Sequence, residues 1–204
     1  MIIRFFTATL AAAAFAVALA GPALAQSKGW VEPPSELPKA RFGDKMQDLD
    51  FLFGALKVAP DETSAKAIEQ RIWAKWLVSK SDTTNLLMSR VKTAVDGKDL
   101  EVALRLLDAI VEINPDYVEG WNRRATLHYM RKEFGRSLAD IRRVLALEPR
   151  HFGALTGLGL IMQELGDEKR ALDAFRKALD VNPHLQRVPD MVKSLTQKVD
   201  GRDI

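Results

Sequence analysis

Cysteine is absent from all 204 residues. That absence excludes disulfide staples, thiolate metal sites, cysteine nucleophiles and a lipid carried on an N-terminal cysteine, so the fold has to hold by packing alone. Histidine is scarce: His128, His151 and His184 are all there is. None lies three or four residues from another, the spacing at which a helix aims two imidazoles at one ion. Charge of one sign is lacking too. Thirty Lys and Arg against 27 Asp and Glu leave a net +3, too small an excess for a surface dedicated to nucleic acid. Beyond residue 20 no apolar run is long enough to span a bilayer. The chain also has no nucleophile elbow, paired-carboxylate motif or metal signature. The reading is therefore of a protein without cofactor or metal that is not an enzyme.

What is present starts with Arg4, the lone charge before an apolar run from Phe5 to Ala20, then Gly21-Pro22 and Ala23-Leu24-Ala25. This is the pattern of a secretory signal, residues 1–25, cut after Ala25 to leave Gln26. A retained anchor is the other reading, but the run is short and alanine-rich and is closed by proline. The mature chain is then expected in the periplasm or outside the cell, with no stable membrane insertion. Residues 26–43 carry Pro33, Pro34 and Pro38 without an apolar period and read as an extended lead-in.

From Asp44 to Lys57, the residues Met46, Leu49, Leu52, Phe53 and Leu56 make one helical stripe. Pro60-Asp61-Glu62 opens a second helix reaching about Ser79, with Ala65, Ile68, Ile72, Trp73, Trp76 and Leu77 as its apolar set. Together, 44–80 read as a helical hairpin. Ser81-Asp82-Thr83 then offers N-caps for the next helix.

From there the chain repeats. Pro115, Pro149 and Pro183 are 34 residues apart and close one phrase three times, as in Ala109-Ile-Val-Glu-Ile-Asn-Pro115 and Lys177-Ala-Leu-Asp-Val-Asn-Pro183. A fixed period of this length marks a solenoid of stacked units. The phrases resemble the tetratricopeptide repeat, a helix A–turn–helix B unit of 34 residues, over units 84–117, 118–151 and 152–185. With the proline at position 32, Leu158, Gly159, Gly166, Ala171, Phe175 and Ala178 of the third unit match the family pattern. The second supplies Trp121 and Phe134 but has Ser137 where Ala is usual, and the first keeps Ala103 and Leu107. The resemblance implies an all-α, right-handed α-solenoid. The 44–80 hairpin would be a degenerate first repeat closing one end. Residues 186–204, with Met191, Leu195 and Val199 on one face and Lys193, Gln197 and Lys198 on the other, would be the C-terminal cap helix.

The same register sorts the remaining features. His128 falls at position 11, normally a packed aromatic, and reads as a core-edge histidine. Gly153-Ala-Leu-Thr-Gly157-Leu-Gly159 mimics a phosphate-binding turn, but it lies inside a helix A, where glycines serve close packing. Arg90 and Arg124 occupy position 7, usually apolar. They are either ligand-facing cations or arginines paired with a helix B carboxylate such as Asp108 or Asp140. The middle unit is basic, with Arg123, Arg124, Arg131, Lys132, Arg136, Arg142, Arg143 and Arg150 against four carboxylates, which suggests either an acidic partner or a solvated face.

In the family resembled, stacked A helices line a concave groove that takes a partner segment. Transferred by register, the groove residues are Asn85, Met88, Lys92 and Val95, then Glu119, Asn122, Thr126 and Tyr129, then Gly153, Thr156, Leu160 and Gln163. The basic residue and asparagine pairs with which chaperone-binding members clamp a C-terminal carboxylate are missing. The implied function is an adaptor or scaffold of the cell envelope holding a protein or peptide segment. Self-association through the Trp73/Trp76 helix or an incompletely capped end is the alternative, and a small-ligand carrier or enzyme with an unrecognised pocket ranks last. If the signal reading holds, the intact mass of chain recovered from the periplasm should match residues 26–204, and a mass that includes the first 25 residues would contradict it.

Overall fold

The computed structural model describes residues 48–201; the expected signal peptide, the lead-in and the first residues of the 44–57 stripe lie outside them. Among the described residues there are nine helices and no strand. They are α1 (Leu49–Lys57), α2 (Glu62–Leu77), α3 (Asp82–Asp96), α4 (Leu100–Ile113), α5 (Val118–Met130), α6 (Phe134–Leu147), α7 (Phe152–Glu164), α8 (Glu168–Val181) and α9 (Val188–Asp200). None is long and apolar enough to cross a membrane. The architecture is the expected all-α solenoid.

Helices α3–α4, α5–α6 and α7–α8 are three A–B hairpins stacked in chain order. The B helices end at Ile113, Leu147 and Val181, each two residues before its proline. Proline cannot donate to the helix and disfavours the helical conformation of the residue before it. Asn114, Glu148 and Asn182 accordingly leave the helix at φ −140°, −140° and −128°.

The A–B turns also repeat in their backbone. Lys98 (φ 62°), Lys132 (φ 60°) and Gly166 (φ 78°) all hold position 15 in the left-handed region. In the third turn Gly166 N–H donates to the Gln163 carbonyl at 3.0 Å and Asp167 N–H to that of Met162 at 2.8 Å. Lys98 with Asp99 and Lys132 with Glu133 make the same pair of bonds. This closes the last turn of helix A and satisfies carbonyls that would otherwise lack partners. Asp99 and Asp167 then cap α4 and α8 by accepting from Val102 and Arg170 N–H.

Helix A meets helix B where the pattern is small. A Cβ on Gly159 would lie 2.4 Å from the ring of Phe175, which is fully buried and has nowhere to move. The helical glycine therefore serves packing. In the middle unit the departure at Ser137 is compensated: its hydroxyl donates to the Ala125 carbonyl at 2.7 Å across the same contact. Helix α9 packs on α8 with Leu195 buried and Lys193, Gln197 and Lys198 in solvent.

The N-terminal hairpin is there, but it does not close the end of the stack, and that expectation is corrected. Its buried residues Leu52, Phe53, Leu56, Ala65, Ile72, Trp73 and Trp76 belong to the core shared by α5 through α9. The first unit has its own core of Met88, Val91, Ala103, Leu104, Leu107 and Ile110, with Tyr117, the residue before α5, and Leu127 of α5. The first unit can stand at the end because α3 is solvated on its outer side: Asp82, Thr83, Asn85, Ser89, Arg90, Lys92, Thr93 and Asp96 are exposed, with Leu86 the one large apolar residue among them, as a terminal repeat allows.

Holding a lysine in the left-handed region costs about 1 kcal/mol relative to glycine. Lys132→Gly should therefore raise stability by up to about 1 kcal/mol, read as a higher urea midpoint with an unchanged slope.

Candidate docking surface

Helix α2 starts from a sound N-terminus. The Asp61 carboxylate accepts from Ser64 N–H at 2.8 Å and from the Ser64 hydroxyl at 3.1 Å, and these bonds lower its pKa, backbone bond first. At about 1.5 Å per residue its 16 residues span about 24 Å, and it uses that length to run across the repeats. The Leu77 carbonyl accepts from the Tyr117 hydroxyl at 2.7 Å. Trp76 stacks on His151 with ring centroids 4.1 Å apart, and Trp73 meets His151 and Phe152 edge-on at 5.4 and 5.3 Å. Glu69 accepts from Trp73 Nε1 at 3.3 Å through one oxygen and from Asn182 Nδ2 at 3.0 Å through the other. Gln186 Nε2 donates to Glu62 at 2.6 Å. Tyr117 and His151 are the last residues of the first and second units, one period apart, and Asn182 and Gln186 flank the end of the third. Helix α2 thus runs antiparallel to the stack along residues that the repeat places in a row. Helix α1 is held alongside: Arg150 pairs with Asp50 at 2.6 Å and lies over the Phe53 ring at 4.4 Å.

Beneath α2 is a buried polar cluster. His151 Nδ1 accepts the Ala154 N–H at 3.1 Å and so caps α7. In the neutral ring that bond puts the proton on Nε2, which faces Glu119 Oε2 at 3.5 Å. Glu119 and His151 are fully buried and Asn122 is 1% exposed. Asn122 Nδ2 donates to Glu119 at 3.1 Å. Arg123 Nε approaches the other Glu119 oxygen at 3.2 Å without the alignment of a hydrogen bond. Trp76 Nε1, Glu119 Oε1, Asn122 Oδ1 and His151 Nε2 make no hydrogen bond to another protein group. A buried polar atom left so costs about 1–3 kcal/mol. The seat of α2 is apolar and aromatic at its walls and polar but poorly matched at its floor.

This seat changes the expected groove. Thr156 is fully buried, Leu160 is 5% exposed and Gly153 is buried, so the third unit's concave face is covered over its first two turns. Thr156 donates to the Phe152 carbonyl at 2.8 Å within its own helix. Glu119 and Asn122 are covered with it, and Met88 is 8% exposed within the first unit's core. These residues do not form an open lining. Asn85, Lys92 and Gln163 are exposed and Val95, Thr126 and Tyr129 half-buried. Asn85 has a local task, bonding Ser79 through both N–H and carbonyl at 3.0 Å, and Lys92 pairs with Asp96. Tyr129 lies against Phe134 at 5.9 Å. Burial, with the Glu164 charge adding, raises its phenol above the ordinary range. The open part of the concave side is the C-terminal half of the A helices.

The other candidates resolve on the same grounds. Arg124 is structural: its Nε and Nη2 take Asp140 bidentately at 2.8 and 2.7 Å and Nη1 takes Asp108 at 2.8 Å. These bonds, Asp140 first, raise its pKa. Arg90 is exposed. His128 is the expected core-edge histidine, 7% exposed and 2.7 Å from Glu133. The basic middle unit is largely neutralised in place. Arg123, Arg131, Arg136, Arg143 and Arg150, like Arg124, contact carboxylates. Trp73 and Trp76 are consumed inside the molecule at 0% and 6% exposure, so the self-association surface expected of them is withdrawn. Among the described residues no group of three His, Cys, Asp or Glu could hold a metal. The register assigned groove positions but not the junction row. Its signal was a large side chain after each proline, Tyr117, His151 and Leu185, at the same spacing as the prolines.

No family model matches the chain. It is 39% identical over 155 residues to a TPR repeat-containing protein of Rhizobium etli, covering 76% of each chain. Among solved structures it is similar to the TPR domain of Arabidopsis OM64. The TM-score is 0.55 at 19% identity, over 58% of this chain and 98% of that one. MamA superposes with a TM-score of 0.55 at 20% identity, over 81% of this chain and 89% of its own.

Trp76→Ala should remove about 3–5 kcal/mol of packing from the hairpin seat. Hydrogen exchange should accelerate in residues 49–77 and stay slow in α8. Uniform acceleration across all the repeats would mean that the hairpin is integral to the solenoid core.

Proposed function

Because the chain belongs to the tetratricopeptide repeat family, we propose that it is a non-catalytic adaptor of the cell envelope that holds a segment of another protein along its concave side. The observation that carries this reading is that the concave side already accommodates a helix across successive repeats, beside a stretch that stays accessible. Within that stretch Thr126, Tyr129 and Gln163 lie on adjacent A helices. A half-exposed tyrosine flanked by an amide and a hydroxyl is the composition of a binding hot spot with adaptable polar neighbours. The periplasmic or secreted address comes from the signal pattern at residues 1–25, and the lack of a catalytic constellation in the sequence agrees with a binding role.

An acidic partner segment has less support than the composition suggested, since the arginines of the middle unit are engaged with carboxylates of the same chain. A segment with mixed polar and apolar side chains suits Tyr129 and its neighbours better.

The test is capture of envelope proteins by the mature chain and by a Tyr129→Ala/Gln163→Ala double variant of unchanged helicity. Truncating a central tyrosine should lower recovery of a specific partner about tenfold or more. Equal recovery by both chains would remove this face from the interaction.

A further inference from the structure

We propose that α2 holds the place of a partner's helix. The row of repeat junctions would form a seat for an amphipathic helix with large aromatics at i and i+3 and a carboxylate at i−4, and such a helix from another protein displaces α2. The proposal rests on the adaptor reading and names the partner's chemistry.

The seat is built by repetition and not by the hairpin. Tyr117, His151 and Asn182 stand at or near the ends of successive units, and they meet α2 in order from its C-terminus, at Leu77, Trp73/Trp76 and Glu69. On α2 the contacting side chains Glu62, Glu69, Trp73 and Trp76 are spaced by seven, four and three residues, which is one face of a helix. Lys66, Ala67 and Lys75 are exposed. Recognition therefore needs one stripe of an isolated helix, not a fold, and any helix with that stripe can present it.

The resident helix is also not an ideal occupant. Asn122 Oδ1, Glu119 Oε1 and His151 Nε2 are left without hydrogen bonds under Trp76 although their residues are nearly or fully buried. A partner helix that keeps the aromatic wall and brings a polar group over this floor makes bonds that α2 does not. What keeps α2 in place is its tether. A helix joined to its seat by a short link competes at millimolar effective concentration. The link is itself fastened, with Ser79 N–H donating to Asn85 at 3.0 Å and Asn114 donating to the Ser79 hydroxyl at 2.9 Å. That fastening disfavours an exchange in which α2 of one copy swings out to another, so the occupant argued for is a different protein.

The full chain can be titrated with a fluorescent peptide of residues 60–78 as the probe. A Trp73→Ala/Trp76→Ala chain should bind it at least tenfold more tightly than the unaltered chain, because the resident competitor is weakened. Glu69→Ala, which removes the resident helix's bonds to Asn182 and Trp73 and leaves both the seat and the probe intact, should tighten binding about threefold. A peptide carrying the two alanines should lose at least tenfold against every chain. The proposal is overturned if both peptides bind alike, or if the Glu69→Ala chain, with helicity retained, binds the probe no better than the unaltered chain. It is equally overturned if the unaltered chain is a dimer that the probe dissociates, since the occupant is then a second copy. If the probe seats as expected and no envelope protein is ever captured, the seat stands and the adaptor reading falls.

Discussion

Every unit of this chain is held by the same close approach of helix A to helix B, and the rest of the molecule depends on it. In the third unit the approach is close enough that a methyl group on Gly159 would enter the Phe175 ring. In the second, Ala125 and Ser137 meet across a 2.7 Å hydrogen bond. Helices this close leave one face of each pair apolar and unpaired, which only another pair can cover. Stacking follows from that and fixes the repeat of everything else, from the left-handed residue at each A–B turn to the extended residue before each proline.

A strict period has a second consequence. Residues at one register position come to lie in a line, so a helix laid across the stack meets equivalent sites in succession. Helix α2 does this. Tyr117 and His151 hold one register position and, with Asn182 just before the end of the third unit, meet α2 in order along its length. The hairpin is in this sense a ligand of the repeats that is part of the chain, which explains why its apolar residues join the core of α5 through α9 and not that of α3 and α4.

The repeat region was legible because its signals are local and periodic. The prolines at 115, 149 and 183 and the small residues at Ala103, Ala171 and Gly159 each act within one unit, so spacing suffices to place them. Arg124 was legible in its partners, since Asp108 and Asp140 lie on the helices that bracket it. The position of the hairpin was not. A stripe containing Trp73 and Trp76 says that a face will be buried, and nothing in its period says against what. Either the end of the stack or its concave side could supply that surface. What decides between them is the polar outer face of α3, which needs none, and the match of Glu69 and Glu62 to Asn182 and Gln186 more than a hundred residues away.

The buried residues Asn122, Thr156 and Leu160 belong to the face that register assigns to a guest, and a guest-like helix is found there. Burial at these positions is therefore not an argument against their use. Under the proposal above, a guest reaches them only where α2 leaves. Residues beyond the edge of that helix, Thr126, Tyr129 and Gln163, are accessible without any rearrangement. Two classes of contact on one concave side imply two steps. A partner that touches only the accessible stretch binds a rigid surface. One that also takes the seat has to outcompete a tethered helix, and its affinity is lowered by whatever fraction of the chain keeps that helix in place.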